Sequence, residues 1–146
     1  MSVDEDVATS LGAGLLRVAD VDVADGDGTI TVVVNVTAGV LRYSGVAGVS
    51  AAGNGTRDVV FDGPVAGVHA ALDSVVYVSD GDWYGTDVAS VRVDDNGNFG
   101  SGGVLSDAGS FDVVVGPVND APVLSVGAAN VSVDEDVATS LGAGLV

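Results

Sequence analysis

The chain has 146 residues, enough for one domain of roughly 100–130 residues with a buried core. It carries 21 acidic residues against four arginines and no lysine, which gives a formal net charge of −17. Such a surface repels phosphate groups, so nucleic acid and anionic membranes are poor partners. The absence of cysteine excludes disulfides, thiolate metal sites and cysteine nucleophiles.

The predicted elements alternate with turn signals along the chain. Residues 2–7 and 15–19 are expected to flank a first turn, and residues 29–36 (TITVVVNV) form the clearest strand. Residues 64–72 (PVAGVHAAL) have helical spacing behind a proline, and residues 96–103 read as a glycine-rich loop. Further strands are predicted at residues 40–43, 58–61, 75–78, 88–93 and 111–115. About seven strands with one short helical turn predict an all-β sandwich.

An internal repeat is visible in the sequence. The fourteen residues from Ser2 to Leu15 recur unchanged from Ser132 to Leu145, at an offset of 130. An exact match of this length indicates a repeat period, with an engineered duplication as the alternative origin. We therefore predict one repeat in residues 1–120, followed in residues 121–146 by a linker and the first strand of the next repeat. Met1 is followed by no basic or apolar leader, so any export signal is expected outside this chain.

The acidic residues cluster at predicted turns, where their mutual repulsion must be offset. Bound divalent cations would do this, because they take carboxylate oxygens as ligands. A high-salt medium that screens the charges is the alternative. The clustering at turns favours bound ions.

Enzymatic motifs are lacking in the sequence. There is no nucleophile elbow, zinc-protease helix or phosphate-binding glycine loop, so we predict no enzyme activity. His69 is the single histidine and is interpreted as a structural residue of the predicted helix. Trp83 and Tyr84 are adjacent, so one is expected to face the core and the other the solvent.

Several segments carry a family resemblance when they are read in order. The most specific is PVNDAPV at residues 117–123, and the others are VADVDVADGDGT at 18–29, HAALDSVVY at 69–77 and the segment 83–107. Together they resemble the cadherin-like tandem repeats of large bacterial surface and type I-secreted adhesins. The resemblance covers nearly the whole unit. It implies a cadherin- or immunoglobulin-like Greek-key β-sandwich in a secreted protein at the cell surface.

The resemblance also implies Ca²⁺ as the cofactor at the joint between consecutive repeats. Ca²⁺ takes about six to eight oxygen ligands, so the end of one domain, the linker and the next domain must all contribute. The linker PVNDAPV lacks one acid and one asparagine of the full cadherin linker, which leaves the number of ions per joint open. The ligands implied by the resemblance are Glu5, Asp20, Asp22, Asp80, Asp82, Asp94, Asn119, Asp120 and Glu135.

Three functions are compatible with these patterns. The leading hypothesis is a non-enzymatic, Ca²⁺-stiffened spacer or adhesion segment, whose partners are neighbouring repeats of the same chain. The alternative is a self-assembling extracellular filament subunit, in which the duplicated segment pairs with the sheet edge of another copy. The third is a module that binds cell-surface glycans or ice, although no flat threonine-rich or aromatic surface is evident.

Overall fold

The computed structural model describes residues 1–12, 14–19, 28–97, 103–127, 130, 132–138 and 140. Strands dominate this part of the chain, which also contains one helix. The elements are β1 (Ser2–Asp4), β2 (Thr9–Ser10), β3 (Thr29–Asn35), β4 (Gly39–Arg42), β5 (Ser50–Ala52), β6 (Asp58–Pro64), α1 (Val65–Asp73), β7 (Val76–Ser79), β8 (Gly85–Asp94) and β9 (Ser106–Gly116). The all-β prediction is confirmed.

The strands form two sheets. The larger has six strands in the order β1-β9-β8-β3-β6-β5, and the smaller has three in the order β2-β7-β4. The pairing of β1 with β9 is parallel, whereas the other strand pairs of the described residues are antiparallel. Two sheets that enclose an apolar core confirm the predicted sandwich.

Strand β3 shows why the sequence folds into sheets. Its buried residues Ile30, Val32 and Val34 alternate with half-buried ones on the opposite face, which is the two-residue period of a strand. It lies in the middle of the large sheet, between β6 and β8. The largest fully buried side chains of the core belong to Tyr77, Phe61, Leu11, Ile30, Leu41 and Leu72.

The β8–β9 hairpin is longer than the apolar pattern indicates. The sequence predicts strand only at residues 88–93 and 111–115, but pairing runs from Gly85 opposite Val115 to Asp94 opposite Ser106. The additional residues are mostly small or polar. They extend the strands because cross-strand pairing satisfies backbone N–H and C=O groups whatever the side chains are.

The region of the first turn differs from the prediction. The turn lies at Glu5 and Asp6 and is flanked by β1 and β2, whereas residues 15–19 form no strand. Strands β2 and β5 were missed, because strands of two or three residues carry too short a pattern to detect. Residues 96 and 97 form a turn as predicted, and the rest of the predicted loop to residue 102 lies outside the described residues.

The predicted helix is confirmed and is longer than a single turn. Helix α1 buries Val68, Ala71 and Leu72 and packs against β6. His69 is structural, as predicted, since its Nε2 lies 3.1 Å from the Val18 amide nitrogen and 2.8 Å from the Val18 carbonyl oxygen. In the described part of the chain, no helix is long and apolar enough to cross a membrane.

A buried carboxylate joins the two sheets at one end of the sandwich. Asp87 of β8 is fully buried and accepts hydrogen bonds from the backbone amides of Thr37 and Ala38, at 2.9 Å each. It also accepts hydrogen bonds from the hydroxyls of Thr37, at 2.6 Å, and of Tyr77, at 3.0 Å. Because Tyr77 belongs to the small sheet and Asp87 to the large one, this contact fixes one sheet against the other. The sequence analysis did not single out Asp87.

Candidate metal site

The strand register brings three distant segments to one end of the sandwich. Asp4, the last residue of β1, is paired with Gly116, the last residue of β9. Gly85, the first residue of β8, is paired with Val115. The turn after β1, the turn before β8 and the linker after β9 therefore meet at this end.

Each of these three segments contributes one exposed aspartate to a cluster. Carboxylate oxygens of Asp6, Asp82 and Asp120 all lie within 4.8 Å of one another. At this separation two unit charges repel by about 1 kcal/mol in water, and each of the three pairs in the cluster adds this cost. A divalent cation bound among the oxygens would replace that repulsion with attraction. We refer to these three residues as the acidic cluster.

Glu5, the residue before Asp6 of the cluster, carries a buried carboxylate. It is only 4% exposed, and its Oε1 accepts a hydrogen bond of 2.6 Å from the Val118 amide. Its Oε2 is also buried and has no hydrogen-bond partner among the described residues. A buried carboxylate oxygen without a partner is costly unless a proton or a cation satisfies it. Both partners of this hydrogen bond are close in sequence to the cluster: Asp6 follows Glu5, and Asp120 lies two residues beyond Val118.

The local backbone explains why aspartate stands at two of the cluster positions. Asp6 and Asp82 have φ values of 59° and 55°, in the left-handed region. Among residues with a side chain, aspartate and asparagine tolerate this region best. The two turns therefore admit few residue types besides the one that supplies a carboxylate.

The structure brings together some of the predicted ligands but not all of them. Asp82 and Asp120 belong to the acidic cluster, and exposed Asn119 is next to Asp120. Asp80 points elsewhere, since its Oδ2 forms an ion pair of 2.8 Å with Arg57.

Of the remaining predicted ligands, Asp94 lies far from the cluster. Asp94 ends β8, whose ten residues at about 3.3 Å each place it roughly 30 Å from Gly85, and it pairs with Arg92 at 2.8 Å. Asp94 therefore cannot share an ion with Asp82 of the same repeat. Glu135 is exposed in the second copy of the duplicated segment, and the positions of Asp20 and Asp22 lie outside the described residues.

Asp6 was missed by the sequence analysis, which chose Glu5 from the same acidic triplet. The triplet at residues 4–6 was the available signal. Sequence alone did not tell which of the three acids turns inward, because that depends on how β1 pairs with β9. In the structure Glu5 is buried and Asp6 faces the solvent.

The two adjacent aromatic residues face different environments, as predicted. Trp83 packs partly against the core, and Tyr84 is 64% exposed. They lie in the turn before β8 and not within a strand. A single exposed tyrosine adds little support for glycan binding, which stays a prediction.

Comparisons of the chain with protein-family models, with curated proteins and with solved structures found no match. The resemblance to cadherin-like repeats therefore stays a prediction that rests on the motifs quoted above. The sandwich fold and the acidic cluster do not depend on that resemblance, since both follow from the strand pairing and the side-chain positions of the structure.

Proposed function

We propose that this chain is a non-enzymatic repeat module of a long extracellular protein, and that Ca²⁺ bound at the acidic cluster stiffens the joint to the next repeat. The observation that carries the proposal is the meeting of three exposed carboxylates, one of which follows Glu5 in sequence; the Oε2 of Glu5 is buried and has no hydrogen-bond partner among the described residues. The site lies where the chain leaves the sandwich, and the second copy of the duplicated segment follows it in sequence.

An ion bound at the acidic cluster would connect three segments that are distant in sequence. Asp6 belongs to the turn after β1, Asp82 to the turn before β8, and Asp120 to the linker after β9. In the described residues beyond β9, residues 117–127 belong to no strand or helix and are exposed. The hydrogen bond from the Val118 amide to Glu5 holds the beginning of this linker. A cation shared with Asp120 would fix the linker two residues further along, and with it the direction of the next repeat.

The available ligands suggest weak binding by this chain alone. The cluster supplies three carboxylates, whereas Ca²⁺ takes about six to eight oxygens. The family resemblance implies that the next repeat supplies further acids, at positions 130 residues beyond Asp20 and Asp22 and hence past residue 146. A dissociation constant on the order of 10⁻⁴–10⁻³ M, typical of extracellular modules, is therefore expected for the isolated chain.

Thermal unfolding of the full chain tests the proposal. At a Ca²⁺ concentration of about ten times Kd, the free energy of unfolding should rise by about 1.4 kcal/mol. This corresponds to an increase in Tm of roughly 3–10 °C for a domain of this size. NaCl at equal ionic strength is the control, because the high-salt explanation of the acidic composition predicts the same stabilisation from either salt.

Two variants locate the effect in the chain. Asp82→Asn and Asp120→Asn should each abolish most of the Ca²⁺-dependent increase in Tm. Asp112→Asn is the matched control, since Asp112 is exposed on β9 outside the cluster and should leave the increase unchanged. Equal responses to CaCl₂ and NaCl in the wild type, or an undiminished response in both cluster variants, would contradict the proposal.

A further inference from the structure

Two asparagines of the chain are directly followed by glycine. Asn54 and Gly55 lie between β5 and β6, and Asn96 and Gly97 follow β8. In such a pair, the glycine nitrogen can attack the carbon of the asparagine side-chain amide, because glycine has no Cβ to hinder the approach. All four residues are exposed, so water reaches both pairs. On local sequence alone the two pairs are equally reactive, and a difference between them must come from the fold.

The backbone at Asn96 is one rotation away from the geometry that this attack requires. Asn96 and Gly97 have φ values of 56° and 68°, and two consecutive positive φ values are typical of a type I′ turn. Rotation of the peptide unit between the two residues converts this turn into type II′, which keeps the positive φ of Asn96. The rotation turns the Gly97 nitrogen toward the side chain of Asn96, and Gly97 tolerates both forms. Asn54 has no positive φ, so its pair lacks this starting geometry.

The hydrogen bonds that oppose such a rotation also differ between the two pairs. The Gly97 amide donates to the carboxylate of Asp95, a partly exposed residue, at 2.8 Å. The Gly55 amide donates to the Leu41 backbone carbonyl at 2.8 Å, and this bond belongs to the pairing of the turn with β4. Rotation at Gly97 therefore releases a side-chain contact that water can replace, whereas rotation at Gly55 disrupts backbone pairing.

The side chain of Asn96 attaches the turn after β8 to two other strands. Its Nδ2 donates to the Asp62 carboxylate of β6 at 3.2 Å and to the Thr29 carbonyl of β3 at 3.3 Å. Its Oδ1 lies 3.0 Å from the Thr31 hydroxyl of β3. If an oxygen replaced Nδ2, both donated hydrogen bonds would be lost and the new carboxylate would face that of Asp62. A change of this one amide therefore weakens the attachment of the turn to β3 and β6.

We propose that Asn96 is converted spontaneously to aspartate and isoaspartate, with water as the only co-reactant, and that this loosens the turn after β8. The Gly97 nitrogen forms a bond to Cγ of Asn96, and Nδ2 leaves as ammonia with the proton from that nitrogen, which closes a succinimide ring. Water then adds to one of the two ring carbonyls and breaks its bond to nitrogen. Opening at Cγ gives aspartate, and opening at the backbone carbonyl gives isoaspartate. The sum is hydrolysis of one amide, without oxidation or reduction.

Incubation of the folded full chain in heavy-oxygen water at mildly alkaline pH tests the proposal. Peptide mass spectrometry locates the incorporated oxygen, and an isoaspartate-specific methyltransferase identifies the isomer. Asn96 should convert on the order of ten times faster than Asn54, because only the Asn54 pair must break backbone pairing. In urea the fold is lost, and the two rates should converge. Equal rates in the folded chain, or no label at Asn96 while the unfolded chain is labelled, would overturn the proposal.

Two glycine substitutions identify the attacking nitrogen. Gly97→Ala should slow the conversion of Asn96 several-fold, because the added Cβ hinders that nitrogen. Gly55→Ala is the matched control, since both glycines have positive φ and the two alanines are similarly strained; it should leave the rate at Asn96 unchanged. An undiminished rate at Asn96 in Gly97→Ala would contradict the proposed attack. Asn96→Asp, which reproduces one product, should unfold at a lower urea concentration than the wild type, and an equal midpoint would refute the loosening of the turn.

Discussion

Replacement of Asp87 by alanine should destabilise the protein more than any single change at the acidic cluster. Its carboxylate is fully buried and holds the segment between β3 and β4 to the start of β8. The substitution leaves the amides of Thr37 and Ala38 without their acceptor and removes one of the two acceptors of the Tyr77 hydroxyl. The other acceptor of that hydroxyl is the Ala38 carbonyl at 2.8 Å, so Tyr77 keeps a partner.

The size of the effect follows from how many donors lose their partner. An unsatisfied buried donor costs about 1–3 kcal/mol. Thr37 is exposed and water can reach it, whereas Ala38 is half-buried, so the cost lies below the full sum. We expect a loss of about 3 kcal/mol in the free energy of unfolding, a large part of the 5–15 kcal/mol typical of a domain.

Urea denaturation measures this loss. Trp83 is the only tryptophan and packs partly against the core, so its fluorescence reports unfolding, with far-ultraviolet circular dichroism as the second probe. Thr86→Ala is the matched control on the same strand, since Thr86 is exposed one residue away. A loss below about 1 kcal/mol for Asp87→Ala, with an unchanged slope against urea, would refute the reasoning.

The pH dependence provides an independent check on the same carboxylate. Burial by itself raises the pKa of Asp87, but the hydrogen bonds from Thr37, Ala38 and Tyr77 outweigh it and hold the pKa below its usual 3.8. Its contribution to stability is therefore full above pH 3.8 and is lost as the pH falls through the lower pKa of the folded state. Asp87→Asn should lack this part of the acid destabilisation. If the wild type and Asp87→Asn lose stability in parallel below pH 3.8, the assignment is wrong.

Three further predictions concern the same end of the sandwich. Gly39→Ala should lower the free energy of unfolding, measured by urea denaturation, by about 2 kcal/mol or more. The reason is that a Cβ at this position would lie 2.5 Å from the Val78 carbonyl oxygen and 2.8 Å from the Tyr77 ring. An unchanged urea midpoint would contradict this prediction. Burial and the Asp87 carboxylate raise the pKa of Tyr77 above 10.0, so wild-type stability should fall as the pH rises above 10.0. Tyr77→Phe should lack that alkaline loss, and parallel curves would exclude Tyr77 as its origin. Asp80→Asn should lower the free energy of unfolding by less than about 1 kcal/mol, since its ion pair with Arg57 is largely exposed; a loss of several kcal/mol would show that Asp80 has another role.

The sequence predicted the elements whose pattern is local. The alternation in β3, the proline before α1 and the turn residues between strands depend on neighbours a few positions away, so they can be read directly. The repeat and its period also follow from sequence alone. Strand ends were less accurate, as β9 shows, because cross-strand pairing extends a strand beyond its apolar residues.

The candidate site could be predicted only in part, because its residues are distant in sequence. Glu5 and Val118 are 113 positions apart, and only the parallel pairing of β1 with β9 brings them together. The family resemblance pointed to Glu5, Asp82 and Asp120, but it did not distinguish Asp82, which joins the cluster, from Asp80, which pairs with Arg57.

The sequence by itself determined an acidic, valine-rich β protein with a duplicated segment and with carboxylates concentrated at its turns. The tertiary structure alone decided which acid of the triplet faces inward and which turns meet at the linker. It also revealed the role of Asp87, whose carboxylate accepts hydrogen bonds from three backbone amides and two hydroxyls. The physical reason is the same in each case: a local pattern fixes which face of a strand is apolar, whereas strand pairing fixes what that strand meets.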